Sequence, residues 1–383
     1  MNNTVDSAVS AYQKHFGERP TTAAVAPGRV EIMGNHTDYN GGYVLPAALD
    51  RVTAVVGAPT GNDEITLVAA DLDAEAVFLS RDIQKDPENA WASYVLGVVD
   101  QLQKAGVFVG GFRAVIRSDV PTGAGLSSSA ALEVATALFL QQLFPFEMEP
   151  MALARLCQRA ENQYVGVNSG ILDQFSSTFG QQDSLLFLDC TTLDYETVQM
   201  GRDDLAIVIC DSAVSHSLTA GDYNTRFAEC MAAAKHFGKE RLREVVWEEF
   251  VAGELELPMA QRKRARHVLT EDRRVLAMRS AIRGTDTDVM GRILAEGHAS
   301  CRDLFENSTP EIDFLVDTAV GIEGCVGAKL TGGGWGGCTV NLVYQDAVPQ
   351  FAAELGQRYQ QATGQQSNIY PCRAGQGARA VEI

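Results

Sequence analysis

A mixed α/β protein of two domains is the fold class this sequence predicts, on three observations. The 383 residues exceed what one ordinary hydrophobic core accommodates. Short strand-like runs alternate with helical periodicity through the first half. After about residue 212 the pattern becomes mainly helical and closes on strands near 338–344 and 379–383. A boundary near residue 200 then gives domains at 1–200 and 201–383.

The elements follow in order. RVTAVVGA (51–58), ITLVAAD (65–71), FRAVIRS (112–118), SLLFLD (184–189) and LAIVICD (205–211) read as strands, each bounded by Gly, Asp or Pro. Trp91 to Lys104, Ser128 to Phe144 and Met151 to Tyr164 carry apolar residues at spacings of three and four, the mark of a helix with one buried stripe. The stretch QRKRARHVLTEDRRVL (261–276) mixes bases with acids and leucine at helical spacing and predicts a solvated helix face.

Composition narrows the function. A chain that is 46% hydrophobic and 21% charged is globular, and 31 basic against 49 acidic residues leave a formal charge of −18. Such a surface repels nucleic acid and anionic membrane, so a phosphate-bearing ligand must meet a locally positive site. MNNTVDSAVSAYQKHF has neither a basic start nor an apolar run, and neither secretion nor a membrane span is expected. The eight cysteines contain no C-x-x-C pair, and Cys210 and Cys338 sit in apolar strands, which suits a reducing cytoplasm.

PTGAGLSSSAALE (121–133) joins Gly123 and Gly125 and the hydroxyls of Ser127, Ser128 and Ser129 to a strong helix former. Glycines let backbone N–H groups approach an anion, and a helix start carries about half a positive charge, so the segment is either a phosphate cradle or a capped helix after a turn. It is not a G-x-x-x-x-G-K-[ST] loop, because no Lys follows the glycines, and Ser128 stands where G-x-G-x-x-G needs its last glycine. Protein-kinase H-R-D and D-F-G segments are absent. Ala26 to Pro46 packs Arg29, Asn35, His36, Asp38 and Tyr39 between glycine turns, which suits a polyhydroxyl ligand or a hydrogen-bonded hairpin. Five glycines surround Trp335 in residues 332–337, implying close approach of backbone to a ligand or another segment, or several positive φ angles. Glu161 lies beside the Cys157, Ala160 and Tyr164 stripe and should be partly buried, and the glycines at 166 and 170 can return Asp173 to the same pocket.

Together these segments resemble the galactokinase branch of the GHMP small-molecule kinases. The resemblance spans nearly the whole length through PGRVEIMGNHTDYNGG, VPTGAGLSSSAALEVA, AENQYVGVNSGILDQF, SHSLTAGDY and KLTGGGWGGCTV. It implies a two-domain GHMP kinase fold with the active site in the interdomain cleft and transfer of the γ-phosphoryl of MgATP to a sugar 1-hydroxyl. On that resemblance Gly123, Ala124, Gly125, Leu126, Ser127, Ser128 and Ser129 wrap the ATP phosphates, Ser129 and Glu161 hold magnesium, and Trp91 and Tyr94 line the adenine pocket. Asp173 faces the reacting hydroxyl with Arg29 beside it, and Asn35, His36, Asp38, Gly170 and Tyr223 are sugar contacts. A monomer or weak dimer in the cytoplasm is expected. One departure stands out: where galactokinases usually read GRVNLIGEHTDYN, this chain reads GRVEIMGNHTDYN, with Glu31 and Asn35. The family's second Glu contacts the sugar 6-hydroxyl, so Asn35 leaves galactose, galacturonate and arabinose all open as substrates. A non-catalytic galactose sensor is the competing class; the uninterrupted LSSSAAL loop with Arg29, Glu161 and Asp173 argues against it.

Overall fold

The computed structural model describes residues 3–215 and 219–383; His216, Ser217 and Leu218, within SHSLTAGDY, lie outside the described residues. The first run of elements is α1 (Asn3–Phe16), β1 (Thr22–Met33), β2 (Tyr43–Pro59), β3 (Glu64–Ala69), β4 (Ala74–Leu79), α2 (Ser93–Lys104), β5 (Phe112–Ser118), α3 (Ser128–Leu143), α4 (Pro150–Arg159), α5 (Leu172–Phe179), β6 (Ser184–Asp189) and β7 (Tyr195–Gln199). The second is β8 (Leu205–Ser215), α6 (Thr219–His236), α7 (Trp247–Gly253), α8 (Met259–Arg283), α9 (Thr287–Ser300), α10 (Pro310–Ala319), β9 (Cys325–Thr331), β10 (Gly336–Tyr344), α11 (Val348–Thr363), β11 (Asn368–Cys372) and β12 (Arg379–Val381).

The strands form two sheets. The first runs β12-β1-β2-β5-β3-β4, with β6 and β7 added along the start of β2, and the second runs β11-β8-β10-β9. Pairing is antiparallel except between β3 and β5. Sheet membership changes between β7 and β8, but β12 returns to pair with β1 in the first sheet. One apolar cluster spans both sheets: Val30, Ile32 and Leu45 from the first pack with Ile207, Ile209, Val340 and Leu342 from the second, joined by Val275 and Met278 of α8. At about 1.5–3 kcal/mol per buried aliphatic side chain, that shared core holds the cleft between the halves in place.

The alternating strands behave as their sequences predict. FRAVIRS and SLLFLD form β5 and β6 with the expected bounds. The helix expected from Met151 to Tyr164 stays α-helical only to Arg159 and then widens into a π-helical stretch, Ala160–Val165. Its wider turn carries Glu161, and such bulges often occur where a side chain must be re-aimed. Alanine-rich α3 lies on β1 and β2 with Ala130, Ala131, Val134 and Ala135 buried, so the helix axis comes close to the sheet and sets its N-terminus at the cleft.

In β2, Gly57 faces Ala114 of β5, and a Cβ there would overlap the Arg113 carbonyl oxygen and lie 2.8 Å from Phe139 Cζ. Gly57→Ala is therefore expected to destabilise the protein by about 1–3 kcal/mol through overpacking. A lower urea midpoint at unchanged slope checks this; an unchanged midpoint would show that β5 gives way freely.

Candidate active site

β1 reaches the site through an irregularity. Its register with β2 shifts between Pro27 and Arg29, where the Arg29 N–H leaves the ladder and donates to the Leu126 carbonyl at 3.0 Å. Bulges of this kind re-aim a side chain. Arg29, 6% exposed, points its guanidinium into the cleft. Nε and Nη2 reach Asp173 Oδ1 at 2.8 and 2.6 Å, and Nη1 donates to the Gly125 carbonyl at 2.7 Å. Asp173 sits in the first turn of α5, and its Oδ2 accepts from Ser127 Oγ at 2.5 Å. Ser127, just before α3, holds φ 56°, a left-handed conformation uncommon for a residue with a Cβ. Strain of this kind recurs at functional sites.

Three cavities meet here. A mainly apolar one of about 500 Å³ is lined by Trp91, Tyr94, Leu72, Ile116 and Leu132 and ends at Ser128 and Ser129. The next, about 390 Å³, takes in Gly123, Gly125, Leu126, Ser127, Ser128 and Ser129 on one side and Gly333 to Gly337 on the other. The third, about 130 Å³, is bounded by Arg29, Glu31, His36, Asp38, Asp173 and Tyr223. Tyr94, Ser128 and Ser129 are common to the first pair of cavities, and Arg29, Val167, Asp173 and Gly333 to the second pair. The sequence of spaces is that of a planar base, a phosphate chain and a small polar ligand, with the Arg29–Asp173 pair where the last two meet. Ala124 is 1% exposed in the core and contributes no lining, and Leu126 borders the second cavity although its side chain is also core.

The glycines around Trp335 answer to other segments of chain. A Cβ on Gly332 would lie 2.7 Å from the Gly125 carbonyl, and one on Gly336 would overlap the Val214 carbonyl. Both have positive φ, at 77° and 115°. This loop thus closes directly over the serine loop.

The polar wall of the third cavity is built from the β1–β2 hairpin. His36 stacks on Phe305 at 4.2 Å, with Nδ1 3.1 Å from Tyr39 Oη and Nε2 2.9 Å from the Gly333 carbonyl. Burial pushes its pKa down to about 3, so the ring is neutral. Asp38 is pushed up to about 6, chiefly by burial and then by Asp173. Gly170 does not line this cavity. It packs beneath Asp38, where any Cβ would overlap the carboxylate. Tyr223 closes the wall with its ring 5.3 Å from His36.

Asn35 departs from expectation. It is fully buried outside the cavity: Nδ2 donates to the Gly332 carbonyl at 2.8 Å, and Oδ1 accepts from Lys329 Nζ. Glu31 is the residue that faces the cavity. Position 31 lies two residues along β1 from Arg29 on the same face, whereas the chain turns at Gly34 before reaching Asn35.

The hairpin is clamped by α8, and here the expectation of a solvated helix face is overturned. Arg264, His267, Glu271 and Asp272 are all buried. Glu271 Oε1 accepts from the Gly34 and Asn35 N–H groups at 3.1 and 3.3 Å, Asp272 Oδ1 accepts from the Tyr43 N–H at 2.8 Å, and His267 Nε2 donates to the Asn35 carbonyl at 2.9 Å. The Glu271 and Asp272 carboxylates are taken up by backbone groups that the turn leaves unpaired, while Arg264 is paired with Glu229 and Glu306. The available signal is the stripe Arg264, His267, Val268, Glu271, Val275, whose helical spacing includes two valines.

Glu161 is 6% exposed, beyond the partial burial expected. Ser129 Oγ donates to its Oε1 at 3.3 Å, Ser169 Oγ donates to Oε2, and Gln174 Nε2 bridges Oε2 and Glu133 Oε2 at 3.1 and 2.9 Å. No cluster of three or more His, Cys, Asp or Glu with metal-binding geometry occurs among the described residues. A hydroxyl and a carboxylate beside a phosphate cavity nonetheless fit magnesium, which keeps several waters and takes its remaining oxygens from phosphate.

Residues 10–59 match the galactokinase galactose-binding signature, 93–181 the GHMP kinases N terminal domain and 278–361 the GHMP kinases C terminal region. The chain is 44% identical over 375 residues to a galactokinase of Roseiflexus sp. (strain RS-1), covering 97% of this chain and 95% of that one. The structure of Lactococcus lactis galactokinase complexed with galactose superposes with a TM-score of 0.92 at 35% identity, covering 97% of this chain and 98% of that one. Methanococcus jannaschii mevalonate kinase shares the fold at a TM-score of 0.66 and 20% identity, over 92% of this chain and 98% of that one.

The buried acids and histidines make stability depend on pH from both sides. Burial pushes the Glu31 carboxyl up to about 8, against the pull of Lys329 and Arg29. A raised folded pKa means the folded state binds more protons, so this contribution is complete below about pH 4.5 and is lost as pH rises through about 8. His36 and His267, held down to about 3 and about 4 by burial, contribute stability above about pH 6.5 that is lost as pH falls through those values. Glu31→Gln should flatten the fall in stability between about pH 4.5 and 8. Thermal midpoints of ligand-free protein from pH 4 to 9 check this, and equal slopes across that window in the two proteins would contradict it.

Proposed function

The chain belongs to the galactokinase family of GHMP kinases, and from that premise we propose that it transfers the γ-phosphoryl group of ATP to the anomeric hydroxyl of galactose. The observation that carries the reading is the Arg29–Asp173 pair standing where the phosphate-shaped and sugar-shaped cavities meet. Trp91 and Tyr94 receive the adenine, and the backbone from Gly123 to Ser129 receives the phosphates at the positive end of α3. His36, Asp38 and Tyr223 bind the sugar, with Gly170 allowing Asp38 to take its place.

Asp173, fixed by Arg29 and Ser127, orients the anomeric O–H and takes its proton as the oxygen attacks phosphorus in line. The new O–P bond forms as the bond from the γ-phosphorus to ADP breaks, and Arg29 faces the charge that builds on the transferred group. Ser129 and Glu161 would hold magnesium, which supplies further neutralisation of the phosphate oxygens. All eight cysteines are free and seven are buried, which supports a reducing cytoplasm as the site of action. The change of sheet between Gln199 and Leu205 supports the domain division near residue 200, with β12 crossing back.

Purified protein should form ADP in a galactose-dependent reaction at about 1–100 turnovers per second. Absence of galactose 1-phosphate above the no-enzyme rate would remove the reading. Asp173→Asn should lower kcat by roughly 10²–10⁴-fold while nucleotide binding, followed by calorimetry, changes little. A fall below about threefold would mean that Asp173 only orients the hydroxyl. Glu161→Gln should raise the magnesium concentration needed for half-maximal rate, and an unchanged magnesium curve would take Glu161 out of the metal site.

A further inference from the structure

We propose that Glu31 is the specificity-determining residue of the sugar pocket, its carboxyl binding a hydroxyl on the edge of galactose opposite the phosphorylated carbon. The proposal rests on the galactokinase reading above. Glu31 is 4% exposed, and among the described residues its carboxyl makes no hydrogen bond and no ion pair, yet it borders the cavity shared with Arg29, Asp38 and Asp173. The carboxyl oxygens are open to the cavity, and a ligand hydroxyl entering it meets a group that no protein partner occupies. The side chain cannot easily turn elsewhere. The Glu31 N–H donates to Thr331 Oγ1 and its carbonyl accepts from the same hydroxyl, both at 3.0 Å, and it pairs with Pro46 in register with Arg29 and Val30, the next irregularity in the ladder falling between Glu31 and Met33.

Distance along the strand says which part of the sugar Glu31 meets. Arg29 and Glu31 are separated by two residues without an intervening bulge, so they stand about 7 Å apart along β1. That is close to the span of a pyranose from its anomeric oxygen to its far edge. With the reacting hydroxyl at Arg29 and Asp173, Glu31 faces the 4- and 6-hydroxyls. Lys329, the nearby cation, is committed to Asn35 Oδ1 and the Leu330 carbonyl, which leaves the carboxyl to the ligand. Charge selects in the same direction: beside Glu31, the acids Asp38, Glu161 and Asp173 line the cavity against the guanidinium of Arg29, so a sugar carboxylate is disfavoured and a neutral hydroxyl is accepted. A carboxyl raised to about 8 is largely protonated at neutral pH and can donate to a hydroxyl as well as accept from it.

The test compares kcat/KM for galactose, its 2-, 4- and 6-deoxy forms and galacturonate in the wild type, Glu31→Ala and Glu31→Gln. In the wild type, removal of the contacted hydroxyl should cost about 10- to 100-fold, and galacturonate should be at least as poor. In Glu31→Ala the galactose value should drop by about that factor, mainly through KM, so that the ratio of galactose to the 4- or 6-deoxy sugar collapses while the ratio to the 2-deoxy sugar survives. Glu31→Gln, which keeps the shape and one acceptor, should recover part of the loss; it also decides the matter if Glu31→Ala fails to fold. Wild-type enzyme active on galactose, with 4- and 6-deoxy ratios unchanged in the variants, overturns this proposal alone. Wild-type protein that leaves galactose untouched overturns the kinase reading and this proposal with it.

Discussion

The guanidinium of Arg29 joins three stretches of chain that lie far apart in sequence: β1, the Gly125 carbonyl 96 positions on and the Asp173 carboxylate 144 positions on. Burying a lone cation costs several kcal/mol, and here the two contacts to Asp173 and one to a carbonyl offset that cost only while all three segments are in place. The position of the serine loop is thereby coupled to that of the Asp173 carboxylate. α8 adds the second constraint. Its Glu271 and Asp272 hold the backbone of the β1–β2 turn, so the wall bearing His36 and Asp38 is fixed by a helix from the other half of the molecule.

Much of this was legible because its signals are local. FRAVIRS and SLLFLD are bounded by turn residues and fill one strand each, and the serine loop announces itself by glycines placed directly before a helix former. β1 was harder to read as a strand, since Pro27 and Gly28 interrupt it and Arg29 and Glu31 put charge where a buried strand normally has aliphatic residues. The role of α8 was hidden for a different reason. Buried charges with backbone partners more than 200 positions away look, in composition, like a solvated face. Exchange of Asn35 for Glu31 at the cavity has the same origin: strand parity carries from Arg29 to Glu31, but cannot be followed around the corner at Gly34.

A chain of net charge −18 that receives a polyanion depends on local positive potential. The start of α3, the amides of the serine loop and Arg29 supply it within a few ångströms, while the surrounding acids are held by hydrogen bonds or raised by burial. Glu133 is the extreme case: fully buried and raised well above its ordinary value by burial and by Glu161, it shares Gln174 with that residue. The amide between the two carboxyls lets them sit side by side.

The return of β12 to the first sheet has a consequence for biosynthesis. β1 carries Arg29, and its outer neighbour in the sheet is residues 379–381. While the chain is emerging from the ribosome, the first half can assemble β2, β5 and α3 around β1, yet the ladder groups of β1 that β12 will cover stay unpaired until more than three hundred further residues have been translated. An unpaired strand edge is a template for wrong partners, including the same edge on a neighbouring nascent chain. Translation speed and chaperone occupancy over that interval thus bear on the yield of native protein, although neither enters the stability of the finished molecule.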